Sequence, residues 1–189
     1  MTIKEQILEM GASALKASRQ LSSLSTEEKN SILLAMAESL EQSTSDILPA
    51  NKLDIAAAEK NGLTSAMVDR LRLDEKRLAA IADGIRQVAS LPDPVGEVMA
   101  KWQRPNGIDI TQLRVPIGVI GIIFESRPNV TSDAAVLCLK AGNATILRGG
   151  SEAIHSNRAI AAALQSGGES AGLPPNSILL IPITDRESV

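Results

Sequence analysis

The sequence comprises 189 residues with a formal net charge of -3, and 44% of its residues are hydrophobic and 22% charged. This balance is typical of a folded globular protein and excludes a disordered chain. The lack of excess positive charge argues against nucleic acid as a partner, as do the few aromatic residues on which bases could stack, Trp102 and Phe124. Its single cysteine and single histidine exclude internal disulfides and a thiolate-rich zinc site, so we expect no metal site.

The sequence shows no membrane-spanning or secretory segment. No apolar run approaches the roughly 20 residues that cross a bilayer. Lys4, Glu5 and Gln6 stand where a leader would be basic and then apolar. We therefore expect a cytoplasmic protein with no membrane partner.

Residues 1–97 are predicted to form an N-terminal helical region. Apolar residues recur there at spacings of three and four, as on the buried face of an amphipathic helix. Ser25 and Glu28 have the spacing of a capping box, in which each side chain binds a backbone N–H at a helix start, and Asp74 can cap a later helix. The residues of the buried stripes are Ile3, Ile7, Met10, Ala14, Ile32, Leu33, Met36, Leu40, Leu78, Ile81, Ile85 and Val88.

Residues 98–115 are predicted to form a β-hairpin. Asn106-Gly107 favours the positive φ angles of a tight turn, and residues 101–104 and 108–111 flank it as short strands. Pro105 leaves the loop length and the strand register open. The hairpin separates the helical region from the last part of the chain.

Residues 115–189 are predicted to alternate between strands and helices. Val115 to Phe124 are largely apolar at consecutive positions, which indicates a central parallel strand covered on both faces. The next helix should start at Thr131, Ser132 or Asp133 and stop at Gly142. The further predicted elements are a strand at 144–147, a helix from about 153 to 165, a return at Gly167-Gly168, a strand at 177–181 and the start of another helix at 184.

The order β-α-β-α-β is that of the mononucleotide-binding half of a doubly wound, Rossmann-like parallel sheet. A sheet of three strands would leave an edge and a face uncovered, which suggests an incomplete domain. The predicted fold class is α/β, in which an N-terminal helical region and a β-hairpin lead into an incomplete doubly wound sheet.

Three stretches carry a resemblance to a known family. They are VPIGVIGIIFESRPNVTSDAAVLCLKAGNATILRGGSEAIHSN at 115–157, NGLTSAMVDRL at 61–71 and LPDPVGEV at 91–98. The chain resembles the gamma-glutamyl phosphate reductases, also called glutamate-5-semialdehyde dehydrogenases, within the aldehyde dehydrogenase superfamily. The resemblance covers nearly the whole chain.

The resemblance implies an NADPH-dependent reduction of L-glutamyl 5-phosphate to L-glutamate 5-semialdehyde and phosphate, a step of proline biosynthesis. A cysteine thiolate forms the acyl intermediate in this family, and it lies in a later catalytic domain, beyond the equivalent of Val189. The chain alone is therefore expected to be inactive. The hairpin resembles the oligomerisation arm of the superfamily, which implies a homo-oligomer, and a functional association with glutamate 5-kinase is also implied.

The loop after the first central strand is expected to contact substrate, because loops at this edge of doubly wound sheets meet ligands. By resemblance, Asn129 matches the amide that donates to the oxyanion at the attacked carbonyl. Its alternative role is to cap the following helix. Arg127 could hold the substrate carboxylate or phosphate, or it could pair structurally with Glu125 or Asp133.

The loop after the second strand is the predicted cofactor site. By resemblance, Arg148 supplies positive charge, and the neutral Ser151 leaves room for the 2'-phosphate of NADP where NAD enzymes place a glutamate. The cofactor-binding residues predicted here are Arg148, Gly149, Gly150, Ser151 and Glu152. The alternative is a plain Gly-Gly turn with a solvated Arg148.

Four other reactive or charged side chains are not assigned to a site. Cys138 lies between two leucines and is expected in the packed core rather than as a nucleophile. Lys140, His155 and Arg158 are expected on solvated helix faces.

Two other functions remain open from the sequence. The chain could be a short, non-catalytic nucleotide-binding or subunit-interaction protein derived from the same family. It could also belong to a reductase that acts on another acyl phosphate or aldehyde.

Overall fold

A computed structural model describes residues 2–185. The N-terminal helices are α1 (Ile3–Leu21), α2 (Thr26–Gln42), α3 (Thr44–Lys60), α4 (Ser65–Leu71) and α5 (Glu75–Ser90). The strands β1 (Val98–Gln103), β2 (Asp109–Leu113) and β3 (Val119–Ile123) follow. The chain continues with α6 (Pro128–Lys140), β4 (Ala144–Arg148), a 3-10 turn (Ser151–Ala153), α7 (Ile154–Ser170) and β5 (Ile178–Leu180). The α/β fold class is confirmed.

Helices α2 and α5 begin where their sequence signals predict. Ser25 and Glu28 form the expected capping box at the start of α2, and the Asp74 side chain accepts from the Arg77 N–H at the start of α5. The stripes predicted in α2 and α5 are buried, since apolar side chains at helical spacing must share one face. The buried members are Ile32, Leu33, Met36, Leu40, Leu78, Ile81 and Ile85.

The hairpin formed by β1 and β2 is confirmed. The strands are antiparallel, with Trp102 opposite Ile110 and a register shift between Val98 and Ala100. Gly107 occupies the turn with φ 84°, as its lack of a side chain allows. Most of the hairpin is exposed, including the apolar side chains of Val98, Met99, Trp102, Ile108 and Leu113.

The strands β3, β4 and β5 form a parallel sheet in the order β3-β4-β5. Helix α1 contacts all three strands, α6 contacts β4, and α7 contacts β5. Consecutive residues of β4, Ala144 and Thr145, are both buried, which shows cover on both faces. Within residues 2–185, β3 lies at the edge of the sheet and leaves Ile123 exposed, so this part of the chain does not show the predicted cover on both faces.

Strand β3 is also shorter than the predicted segment 115–124. Pro116 cannot donate a ladder hydrogen bond, and Gly118 has φ 118°, so the extended ladder starts only at Val119. The Gly118 N–H is bound by the Asn143 side chain at 2.8 Å.

Helix α6 starts three to five residues earlier than predicted, because Pro128 is well suited to the first turn of a helix. Helix α7 continues through Gly167 and Gly168, which were predicted to form a turn. A Cβ on Gly167 would lie 2.6 Å from the Ala35 carbonyl oxygen of α2. These glycines therefore serve the close packing of α2 against α7.

The helix predicted from Thr184 is not seen at Thr184 and Asp185, and residues 186–189 lie outside the described residues. Within residues 2–185, no helix combines the length and apolar character needed to cross a membrane. The division of the chain at residues 97 and 115 stays a prediction, since one hydrophobic core contains residues of α1, α2, α3 and α5 together with α6, β4, α7 and β5.

A buried polar cluster joins the N-terminal helices α2 and α5 to α6. Lys29 forms an ion pair with Asp93, and Lys140 at the end of α6 donates to the Asn30 side chain at 2.6 Å and to the Ala89 carbonyl at 2.9 Å. The prediction that Lys140 lies on a solvated face is wrong, because its side chain spans the seam between α6, α2 and α5. Burial lowers the pKa of Lys140, with Asp93 opposing this effect and Lys29 adding to it.

Candidate functional site

Two loops leave the sheet side by side at the carboxyl ends of β3 and β4. Ile123 is opposite Arg148 in the parallel register, and the Phe124 N–H donates to the Arg148 carbonyl at 3.0 Å. Doubly wound folds bind ligands at this edge of the sheet. The fold therefore brings the predicted substrate loop and the predicted cofactor loop together.

A side-chain hydrogen bond connects the two loops. The Ser126 hydroxyl donates to the Glu152 carboxylate. This bond, with smaller contributions from the Glu152 backbone N–H, Ser151 and Arg148, lowers the pKa of Glu152 against the opposing effect of burial. A Cβ on Gly150 would lie 2.8 Å from a Glu152 carboxylate oxygen and closer still to the Ser126 hydroxyl. Gly150 is thus required for space rather than for a positive φ.

Gly149 lies over a buried polar pair. The Thr131 hydroxyl of α6 donates to the Asn157 side-chain oxygen of α7 at 3.0 Å, and Asn157 is 0% exposed. A Cβ on Gly149 would lie 3.0 Å from the Phe124 ring and closer still to the Asn157 amide nitrogen. The first residue after β4 therefore has to be glycine for the loops to pack.

Arg148 is half-buried and fixed by backbone carbonyls, not solvated as the plain-turn alternative assumes. Its guanidinium donates to the Gly149 carbonyl at 3.2 Å and to the Thr184 carbonyl at 3.0 Å. Its Nε is buried and has no hydrogen-bond partner in the described part of the chain. Ser151 and Glu152 follow in the exposed 3-10 turn.

Arg127 and Asn129 stand at the start of α6. Arg127 occupies the N-cap position, and its exposed side chain forms no ion pair with Glu125 or Asp133 within residues 2–185. Asn129 lies within the first turn and donates to the Asp133 carboxylate at 2.9 Å. The capping alternative for Asn129 is therefore wrong, since its side chain binds along the helix rather than to a backbone N–H.

The two loops and helix α4 enclose a cleft of about 410 Å³. Leu63, Met67 and Leu71 give the cleft an apolar wall, and Arg70 stands on the same wall. The other lining residues are Phe124, Glu125, Ser126, Arg127, Arg148, Gly150 and Glu152. Asn129 is not among these lining residues.

A buried carboxylate of α3 holds the start of α7, directly after the loop at 148–152. Asp54 is 2% exposed, and it accepts from the Ser156 N–H at 2.7 Å, the Ser156 hydroxyl at 2.6 Å and the His155 N–H at 3.2 Å. Asp54 thus caps α7 from another helix, because Ala153 at the N-cap position has no capping side chain. Asn51, one turn earlier on α3, donates to the same Ser156 hydroxyl at 3.0 Å.

The side chains left out of the predicted site lie away from the cleft. Cys138 is buried, as expected, and burial raises the pKa of its thiol. His155 is exposed, as expected. Arg158 is exposed, but its guanidinium donates to the Pro182 carbonyl.

Sequence comparison gives the site a family. The sequence profile of the aldehyde dehydrogenase family matches residues 2–189. The chain belongs to the aldehyde dehydrogenase family. The two loops of the cleft lie within the stretch 115–157, and α4 lies within the stretch 61–71, both of which carried the resemblance.

Curated relatives and solved structures refine this result. The chain is 58% identical over 181 residues to a gamma-glutamyl phosphate reductase of Brucella anthropi, covering 96% of this chain and 42% of the relative. It is 55% identical to that of Geobacter metallireducens, covering 100% of this chain and 45% of the relative. The crystal structure of the Thermotoga maritima gamma-glutamyl phosphate reductase superimposes with a TM-score of 0.93 at 41% identity, covering 96% of this chain and 44% of that structure.

The chain spans less than half the length of these relatives. An acetylating aldehyde dehydrogenase of Geobacillus thermoglucosidasius, at 17% identity and a TM-score of 0.69, shares the fold. The predicted resemblance is confirmed.

The sequence analysis missed several residues of this family member's cleft. Arg70 and the apolar residues Leu63, Met67 and Leu71 lie more than 50 positions before the other residues that line the cleft, so no local pattern connects them. The stretch NGLTSAMVDRL at 61–71 contains these residues and contributed to the resemblance, so it was the one sequence feature that could have indicated them. Asp54 carried no such signal, because an aspartate in a helix is commonly a surface residue.

Proposed function

We propose that the chain contributes the N-terminal part of an oxidoreductase that reduces L-glutamyl 5-phosphate to L-glutamate 5-semialdehyde and phosphate with NADPH, in proline biosynthesis. The proposal is carried by the identity of 58% and 55% to gamma-glutamyl phosphate reductases across 96% and 100% of the chain. The cleft loops lie within these matched residues.

The loop at 148–152 fits a nicotinamide dinucleotide cofactor, which supplies the hydride when bound. Gly149 and Gly150 keep the backbone open where a Cβ would meet neighbouring atoms, and Arg148 places positive charge at the end of β4. The unused Nε of Arg148 is a donor for a polar ligand group. Ser151 is neutral and exposed, while Ser126 binds Glu152; both features support room for the 2'-phosphate of NADP.

The loop at 126–129 is proposed to bind substrate. Arg127 has an exposed guanidinium without an ion-pair partner among residues 2–185 and can hold a carboxylate or phosphate with two parallel hydrogen bonds. Asn129 stays the proposed oxyanion donor, and to act it must exchange its bond to Asp133 for one to the substrate. The nucleophilic cysteine is proposed to lie outside this chain, because burial keeps the Cys138 thiol protonated and away from the cleft.

The hairpin is the proposed contact between subunits. Its exposed apolar side chains, with Trp102 among them, have no cover within the described residues and suit a homo-oligomer interface. This feature also favours the second candidate function, a non-catalytic subunit-interaction protein. A cytoplasmic location and a functional association with glutamate 5-kinase belong to the proposal as well.

The reaction can be tested in the reverse direction with the complete enzyme that carries this chain. We expect phosphate-dependent oxidation of L-glutamate 5-semialdehyde with NADP as the preferred acceptor over NAD. Arg148→Ala should raise the KM for NADP with little change in the KM for the semialdehyde. The absence of turnover with phosphate and semialdehyde would exclude the proposed reaction, and an unchanged KM for NADP would exclude the role of Arg148.

A further inference from the structure

The part of the cleft wall that α4 forms includes a positively charged side chain, which the two loops do not neutralise. Leu63, Met67 and Leu71 make this wall apolar, and Arg70 is its charged member. Arg127 lines the same cleft of about 410 Å³. Two arginines in one lining suit a ligand that has two acidic groups.

Helix α4 is held firmly although it is short. A seven-residue helix is not stable alone, so its position depends on outside contacts. Arg77 donates to the carbonyls of Asp69 and Arg72 at 2.6 and 2.7 Å. The Asn51 side chain, which is buried, donates to the Leu71 carbonyl at 2.7 Å. These contacts fix the carboxyl end of α4 and hence the direction from which Arg70 reaches the cleft.

Arg70 has no hydrogen-bond or ion-pair partner among the residues that the structure describes. The carboxylate of Asp69, next to Arg70 in the sequence, forms an ion pair with Arg77 at 3.0 Å instead. Arg148 binds two backbone carbonyls, and Glu152 binds Ser126.

Among residues 2–185, the guanidinium groups of Arg70 and Arg127 form no hydrogen bond or ion pair. Glu125 is the remaining carboxylate of the cleft lining. Two guanidinium groups are therefore available to ligand.

We infer that Arg70 binds the carboxylate of the substrate while Arg127 holds its phosphorylated end. Arginine suits both groups, because its planar fork forms two parallel hydrogen bonds with a carboxylate or a phosphate. Arg70 then determines specificity: a substrate with two acidic ends engages both arginines, and a simple acyl phosphate or aldehyde engages one. The inference rests on the proposed function and assigns the recognition of the amino-acid end to a residue of the helical region.

The test compares two stable phosphonates by calorimetric titration of the complete enzyme. The first, 2-amino-5-phosphonopentanoate, carries a carboxylate and a phosphonate, and the second, 4-aminobutylphosphonate, lacks only the carboxylate. We expect the carboxylate to strengthen binding to the wild type about 10- to 100-fold, the range of a charge-assisted hydrogen-bond pair. In Arg70→Ala this advantage should vanish.

The matched control is Arg72→Ala, two positions further along the chain and outside the cleft lining. It should keep the wild-type advantage of the carboxylate, and Arg70→Lys should keep part of it. An unchanged KM for NADPH in Arg70→Ala would show that the cleft remains folded.

Two results would overturn the inference in different ways. If Arg70→Ala retains the full advantage of the carboxylate, Arg70 does not bind that group, and the proposed function is unaffected. If neither phosphonate binds the wild type while the enzyme still turns over another acyl phosphate, the substrate assignment fails and the role of Arg70 fails with it.

Discussion

At the scale of single residues, the packing of the two cleft loops depends on Gly149. A methyl group there would meet the Phe124 ring at 3.0 Å and would meet the Asn157 amide, which cannot move freely because its oxygen binds Thr131. We expect Gly149→Ala to lower the free energy of unfolding by about 1 to 3 kcal/mol, as overpacking of a rigid site does. Urea denaturation measures this change.

Gly84→Ala is the matched control for this substitution. Gly84 lies within α5, and a Cβ there would meet no atom within 4 Å. Alanine is favoured over glycine in a helix, so this variant should gain roughly 0.5 to 1 kcal/mol. Equal effects of the two variants would mean that space at Gly149 is not limiting.

At the scale of elements, α7 depends on α3 for its first turn. Asp54 accepts from two backbone N–H groups and from the Ser156 hydroxyl, all at the buried start of α7. We expect Asp54→Ala to lower the free energy of unfolding by about 2 kcal/mol or more, because a cap is lost and buried donors are left unpaired. If the loop at 148–152 binds NADPH as proposed, the loss should also raise the KM for NADPH, since this loop leads directly into α7.

The control for Asp54 is Glu59→Ala, an exposed carboxylate near the end of the same helix. A surface change of this kind should alter stability by no more than about 0.5 kcal/mol. If Asp54→Ala is as mild as Glu59→Ala, the start of α7 is fixed by packing alone.

Helix and turn boundaries were predicted correctly where they depend on nearby residues, and incorrectly where they depend on distant ones. Capping boxes and the Asn-Gly turn act over three or four residues, so Ser25, Glu28 and Gly107 were correctly interpreted. Gly167 and Gly168 were assigned to a turn, because the close approach of α2 that explains them comes from residues more than 120 positions away. An apolar run does not specify which strands lie beside it, so the sequence did not place β3 at the edge of the sheet that residues 2–185 form.

The seam between α6, α2 and α5 contains two buried lysines, Lys29 and Lys140, and the aspartate Asp93. Burial raises the pKa of Asp93, but the Lys29 ion pair, the Val95 N–H and the Thr26 hydroxyl outweigh it and lower the pKa overall. A carboxyl whose pKa is lower in the folded state stabilises the fold above its unfolded pKa of about 3.9. This stabilisation is lost as the pH falls through the folded pKa.

We expect Asp93→Asn to lower the free energy of unfolding at neutral pH by about 3 kcal/mol, because Lys29 is left buried without its counter-charge. The variant should also lose less stability than the wild type when the pH is lowered below about 4. Chemical denaturation across this pH range measures both effects.

Glu97→Gln provides the comparison for Asp93→Asn, since Glu97 pairs with Arg114 on the exposed hairpin base. An exposed ion pair contributes about 0 to 1 kcal/mol, so this variant should remain close to the wild type. A similar loss in both variants would mean that the buried seam is no more important than a surface pair.

The candidate site was predictable in part. The loops at 126–129 and 148–152 follow apolar strands, and parallel strands bring such loops to one edge, so their proximity followed from topology. The hydrogen-bond partners of individual side chains could not be predicted from the topology. The link from Ser126 to Glu152, the burial of Lys140 and the position of Arg70 all depend on how helices pack across the sheet, which no local pattern encodes.

Asp54, which caps α7, is synthesised well before the helix that it caps. The two partners are 102 positions apart, and α3 leaves the ribosome long before α7. Domains assemble from the N-terminus as the chain emerges. The segment that carries Asp54 is therefore synthesised before α7, so the acceptor for the first turn of α7 is already present when that helix emerges.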